Sequence, residues 1–411
     1  MAPCTPQAAP QPDIVVERPV VERPAEQQLE RREEPARVLA GWDKGFVLRS
    51  ADGRHELAIH GLLQARARAF DGADEARDDD IDLATMRLEL EGRLDGRWIF
   101  LLEPRFDASS TKVDEAWLGV DLGESRSLRA GRMKVPLGLE EMQPRRWRDF
   151  VQKSLLAQFV PGEDHGVGWF QGSKTTPWQW GATATNGTGG AEQDDAKEVA
   201  ARVVWRPWTL ESHALRGLQF ALGASFGSGE ADLGGKDLVN EAGVAFASLD
   251  DDARLDGERA RVDLEAAWSH GRHEARVEWL RQAADLSDGV LADEAVAQGF
   301  SAMLSRMLTA HEKGLYGFAA DTPLDDAGAW QVVARWTRLD LGSGWTASGA
   351  LDAASDPGLV DSFDLGVNWW AGPNTVLRMH AVHTRYGDAI DIGGEDVDAE
   401  DALLLGWQLH F

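Results

Sequence analysis

The stretch QPRRWRDFVQK, residues 143–153, sets Arg145, Arg146, Arg148 and Lys153 against a single acid, Asp149, and is the densest basic cluster beyond the first forty residues. Guanidinium groups offer planar forks of N–H donors and a permanent charge. Such a cluster can replace the water stripped from an anion with both hydrogen bonds and Coulomb attraction. The same four side chains can instead pair with the acids around them, Glu140, Glu141, Glu163 and Asp164, which would hold the segment in place. Both readings stay open at the level of sequence.

A second set of bases alternates with acids along the chain. Arg66, Arg68, Arg87, Arg93, Arg105, Arg259, Arg261, Arg276, Arg335 and Arg378 are interleaved with Glu89, Glu91, Glu103, Asp263, Glu265, Glu274 and Glu278. Opposite charges on neighbouring strands form cross-strand pairs, so most of this ladder is expected to brace a sheet, leaving an unpaired subset to guide ions. Other candidate chemistry is sparse. The pairs His270/His273 and His380/His383 are read as turn or interface residues, LDDDARLDG lacks the spacing of a calcium loop, and no nucleophile motif accompanies Cys4 or any serine. No catalytic residue, metal or cofactor is expected.

The elements that carry these residues are strands. In Leu83 to Leu94, Ala84, Met86, Leu88, Leu90 and Leu94 alternate with Thr85, Arg87, Glu89, Glu91 and Arg93. In 259–268, Ala260, Val262, Leu264, Ala266 and Trp268 oppose Arg259, Arg261, Asp263 and Glu265. The chain ends in ALLLGWQLHF, with Leu403, Leu405, Trp407, Leu409 and Phe411 on one face. A soluble sandwich would bury such a face in a core; a membrane barrel would turn it to lipid. Of 411 residues 43% are hydrophobic and 27% charged, and apolar runs such as Trp98 to Leu102 fall far below the ~18 residues of a membrane helix. Barrel strands need only ~10 residues each.

Tight links such as Asp95-Gly96 and Gly372-Pro373-Asn374 alternate with long ones, 70–82, 135–165, 227–257 and 387–401, as in an outer-membrane barrel. Counting this way predicts about sixteen strands, the last closing on the first near Leu57 to Phe70, with Trp345 to Leu351 in a loop. Pro104 predicts a bulge, since a closed barrel has no edge to spare a donor. Ala310 to Gly328 is long where a short turn is due. Of 17 Trp, those at 98, 117, 205, 208, 369 and 407 are placed near strand ends, at headgroup depth. Residues 1–40, rich in Pro and Glu, read as a disordered leader with no visible signal peptide, and 41–411 as the barrel domain. The net charge of −27 excludes nucleic acid as a partner; acids such as Asp78 to Asp80 and Asp250 to Asp252 gather in the long loops.

From GFVLRSADGRHELAIHGLLQAR through MRLELEG, DEAWLGVDLG, LRAGRMKVPLGLEEM, QGFSAMLSRMLTAHEKGLYG, GAWQVVARWTRLDL and DSFDLGVNWWAGPNTVLRMHAVH to the last strand, the chain resembles the phosphate-selective porin O and P family of Gram-negative outer membranes. The resemblance implies an all-β, sixteen-stranded transmembrane antiparallel barrel, usually a homotrimer, with its third long loop folded inward. It implies a passive, water-filled outer-membrane channel for small anions, phosphate or related oxyanions, in contact with membrane lipid and lipopolysaccharide. Loop 135–165 would then be the constriction, with Arg145, Arg146, Arg148 and Lys153 binding substrate, and Arg66, Arg68, Arg87, Arg105, Arg259, Arg261 and Arg335 facing the lumen. LTAHEK stands where the family tends to have an LTGE-like segment, and the acidity is high for an anion pore. A channel of general or cation preference, or a barrel enzyme, are the competing readings.

Overall fold

Alternating apolar and charged residues are stable where one face meets hydrocarbon and the other meets water or polar partners. The chain meets that condition as sixteen antiparallel strands closed on themselves. The structure, a computed structural model, describes residues 38–71, 79–106, 111–187, 197–320, 323–324, 326–392 and 394–411. The leader up to residue 37, with Cys4, and Asp78 lie outside the described residues. The first barrel strand, Glu56–Phe70, pairs with Asp80–Leu94 on one side and with the last strand, Glu395–His410, on the other, from Leu62 opposite His410 to Phe70 opposite Ala402. A hairpin of Val38–Trp42 and Phe46–Ser50 extends the first strand past this closure.

The faces follow the alternation. Val262 and Leu405 are 40% and 45% exposed on the outer surface, while Arg87 and Arg261 are buried within. One position departs from the expected pattern. Leu83 and Ala84 together stand opposite Ala65, so parity slips by one there: Ile81 and Leu83 face outward before the bulge, Met86 after it. Ala84 therefore lies in the bulge itself. The irregularity expected at Pro104 is present. Glu103 pairs with Glu115 and Pro104 with Val113, leaving Asp114 as the extra residue, turned inward among Arg87, Arg105 and Arg145.

The rims are less regular than the loop pattern suggested. Residues 387–401 form a hairpin, with strands Thr375–Ile392 and Glu395–His410 running almost to its tip, while 206–218 and 308–328 are long connections on the short-turn side. The exposed Trp42, Trp98, Trp178, Trp205, Trp330, Trp369 and Trp407 all sit at that side, with Trp178 stacked on Trp205 at 5.7 Å and Trp330 on Trp369 at 5.6 Å. Trp117 does not join them. It faces the lumen and carries the Arg129 guanidinium 4.3 Å above its ring.

The interior holds a second apolar core. Leu280, Leu339, Leu341, Val360, Val382 and Leu404 point inward and pack on Leu238, Val244, Phe246 and Leu249 of segment 233–253, which folds into the barrel. Asn240 anchors that segment: its amide nitrogen donates to Glu400 at 2.8 Å and to the Tyr386 hydroxyl at 3.0 Å, and its oxygen accepts from the Ala242 and Val244 amides. The loop pattern of the sequence predicts only a long connection here.

Phe411 completes the closure. Its amide donates to Gly61 O at 3.1 Å, Gly61 N donates back at 3.0 Å, and its ring lies 6.0 Å from Phe46 and 6.4 Å from Trp42. Deleting Phe411 removes contacts worth roughly 2–4 kcal/mol. The assembled, heat-modifiable fraction is expected to fall several-fold in cells, with unchanged unit conductance in the barrels that form. Wild-type assembly would contradict this role.

Candidate functional site: a polar cavity beside an inward loop

Loop 135–162, the third connection on the long-loop side, enters the barrel because its apolar residues fit the far wall. Leu155, Leu156 and Phe159 join the interior core, Phe150 packs on Met303 and Val333, and Leu139 on Ala267 and Leu315. Gly223 and Gly299 leave room in the wall for Leu137 and Leu156, where a Cβ would collide with them. The loop carries a helical turn, Leu139–Met142, and 3-10 turns at Arg145–Trp147 and Leu155–Phe159.

Asp149 fastens this arrangement. Fully buried, it accepts from Lys313 Nζ at 2.6 Å, Gln331 Nε2 at 2.8 Å and Arg276 Nη2 at 2.6 Å. Lys313 belongs to connection 308–328, which folds up into the barrel from the short-turn side as a small hairpin, Lys313–Gly314 with Gly317–Phe318. Wall arginines complete the fastening. Arg335 meets Glu140 at 3.0 Å, Glu241 at 3.3 Å and Asp364 at 3.3 Å; Arg261 donates to Phe159 O at 2.8 Å and Arg378 to Arg148 O at 2.8 Å. Burial pushes the Glu241 carboxyl up to about 7, against the pull of Arg335.

The four loop bases divide. Arg145 pairs with Glu163 at 2.7 Å and Asp114 at 3.6 Å, Arg148 donates to Glu140 O at 3.0 Å and approaches Glu141 at 3.8 Å, and Lys153 is bound to Glu141. Burial opposes the charge on Glu141, yet Lys153 and Arg148 hold its carboxyl well below the usual range. The Arg146 guanidinium makes no ion pair or hydrogen bond with any described residue; only its carbonyl is engaged, by Gln408 at 3.0 Å. Of the wall arginines expected to face inward, Arg66 pairs with Asp82, Arg68 with Asp80 at 3.1 Å, Arg87 with Glu103 and Asp114, Arg105 with Asp114 at 3.6 Å, and Arg259 with Glu198 at 2.7 Å. Arg261 also meets Glu198, at 2.6 Å.

Between the loop and the first five strands lies a cavity of about 300 Å³. Arg146, Arg145, Arg87 and Lys134 line it with Glu89, Glu91, Glu103 and Glu115, and His60 and His410 complete its wall. Lys134, which the sequence analysis does not single out, donates its Nζ to Glu141 O at 3.1 Å.

The family model for phosphate-selective porin O and P matches residues 58–411. No curated protein matches the chain. Among solved structures it is similar to the anion-selective porin from Comamonas acidovorans, at 14% identity and a TM-score of 0.55, covering 87% of this chain and 100% of that one. It is also similar to the outer membrane channel DcaP of Acinetobacter baumannii, at 9% identity, a TM-score of 0.56, and 91% and 100% coverage. OmpT, an outer membrane protein of Vibrio cholerae solved in a trimer form, aligns at 10% identity and a TM-score of 0.54, over 87% and 99% of the two chains.

If Asp149 and Lys313 couple the loop to the short-turn side, Lys313→Met should destabilise the refolded barrel by about 3 kcal/mol. A double-mutant cycle with Asp149→Asn should return a coupling of about 1–3 kcal/mol in denaturant titrations. Additive effects would show that the two residues act independently.

Proposed function

We propose, for a chain that belongs to the phosphate-selective porin O and P family and lies in the bacterial outer membrane, that its channel passes small anions, phosphate or a related oxyanion, through the cavity beside Arg146. Family membership supports an outer-membrane channel. The short-turn rim then faces the periplasm.

The observation that carries the anion reading is the Arg146 guanidinium, which has no partner among the described residues. Its neighbours Arg145, Arg148 and Lys153 are engaged by Glu163, Glu140, Glu141 and Asp114, so their charge serves the loop; Arg146 has its donors left for a solute. A permeating anion sheds water at such a point and regains hydrogen bonds from the fork. The exposed acids Asp250 to Asp252 act weakly at this depth, because salt screens them over ~8 Å.

A cation-preferring channel is the second reading. Glu89, Glu91 and Glu115 line the same cavity without an arginine or lysine ion pair among the described residues. We take the assembly to be a homotrimer, with outer-membrane lipid around the belt and lipopolysaccharide against the outer rim.

Reversal potentials across planar bilayers in a salt gradient decide between these readings. The wild-type channel is expected to prefer chloride over potassium, with phosphate reducing chloride current. Arg146→Gln should weaken that phosphate effect about tenfold or more, the value of a charge-assisted hydrogen bond, and Arg146→Glu should move selectivity toward potassium. Neutralising Asp250 to Asp252 should shift it little. A wild-type preference for potassium would favour the acidic wall instead.

A further inference from the structure

The register of the first two strands sets His60 opposite Glu89 and Ala58 opposite Glu91. One imidazole nitrogen and one oxygen from each carboxylate lie within 4.8 Å of one another, on the inner face near the periplasmic rim. The histidine is held firmly. It is 8% exposed, and its ring lies against Gly45 of the hairpin below, where a Cβ would collide with Nδ1.

The hydrogen bond at Nδ1 decides what the other nitrogen can do. Nδ1 is 2.9 Å from the carbonyl oxygen of Lys44, and a carbonyl can only accept, so Nδ1 carries hydrogen. Nε2 is thereby turned toward Glu91 Oε1, 3.5 Å away. A bare nitrogen lone pair facing carboxylates is repulsive unless a cation stands between them. A second ring proton could fill that place, but it would balance only one carboxylate. Glu89 makes no hydrogen bond or ion pair with any described residue. Four other interior acids, Glu103, Asp114, Glu141 and Glu163, each hold an arginine or lysine. A divalent ion balances both acids at once.

We propose that His60, Glu89 and Glu91 form a binding site for a divalent transition-metal cation of the zinc class at the periplasmic mouth of the channel. One imidazole and two carboxylates are a borderline donor set that favours zinc over magnesium or calcium, with water completing the coordination. The Lys44 carbonyl plays the orienting part that an outer-shell acceptor plays at histidine-ligated metals. The site has no local signature, since His60 and Glu89 are 29 positions apart and only strand pairing joins them. Bound there, the ion cancels the negative charge of the two glutamates that line the path to Arg146, and so favours anion passage. This second statement rests on the anion reading above.

The test uses the purified full-length chain in detergent, titrated calorimetrically with zinc chloride alone. One saturable site per chain is expected, with magnesium in tenfold excess failing to displace zinc. Affinity should fall ~tenfold or more, the least that disturbing even an outer-shell partner brings, in His60→Gln and in the double variant Glu89→Gln/Glu91→Gln. Should His60→Gln fail to assemble, the near-isosteric glutamine pair decides. No zinc binding, or equal affinity in the variants, overturns the site, whichever ion the channel passes. In bilayers, micromolar zinc should shift the wild-type reversal potential toward anions and leave the glutamine pair unmoved. Zinc bound without that shift overturns the electrostatic role.

Discussion

Everything in the interior depends on the neutralisation of Asp149. A fully buried carboxylate is tolerable only if cations and donors surround it, and here Lys313, Arg276 and Gln331 do so from three different elements. The inward loop, a periplasmic connection and the far wall are thereby held to one point. Because that point lies against the wall of strands 273–341, the loop leans that way, and the open space remains on the side of strands 56–134.

This lean divides the lumen into two media. On one side the barrel is filled as a soluble protein would be, with leucines and valines of segment 233–253 and of the wall in contact. On the other side charged groups face a cavity, and Arg87, Arg145 and Glu103 among them are matched in ion pairs. On the proposed reading, permeation is governed by Arg146 on the loop, whose guanidinium has no partner among the described residues, and by Glu89 and Glu91 on the wall, which hold no arginine or lysine there, far more than by the sum of the chain's acids.

Sequence carried the fold well and the site poorly, for identifiable reasons. Alternation is a local property, so the strands, the closing strand with Phe411 on its outer face and the bulge at Pro104 could all be read from neighbouring residues. The four bases of the long loop were likewise visible, its inward fold only through the family resemblance, and which base stays free among the described residues was not. Arg145 is held by Glu163, with Asp114, a residue brought there by the Pro104 bulge, beside it, and Lys153 is held by Glu141. The inward fold of 233–253 had one overlooked sign: Leu339, Leu341 and Leu404 occupy lumen parity, where a water-filled pore has no use for them. Trp117 and Ala84 were misplaced because the side a residue faces near a bulge depends on pairing with a distant strand.

We propose that ions pass between the loop and the first strands, past position 146. Single-channel recording of Arg146→Cys in a Cys4→Ser background tests it, with a negatively charged methanethiosulfonate reagent added and Leu156→Cys as the buried control. Stepwise loss of anion current at position 146, with no response at 156, is the expected result. An unaffected current at 146, or an equal block at 156, would contradict it and place the conducting path elsewhere in the barrel.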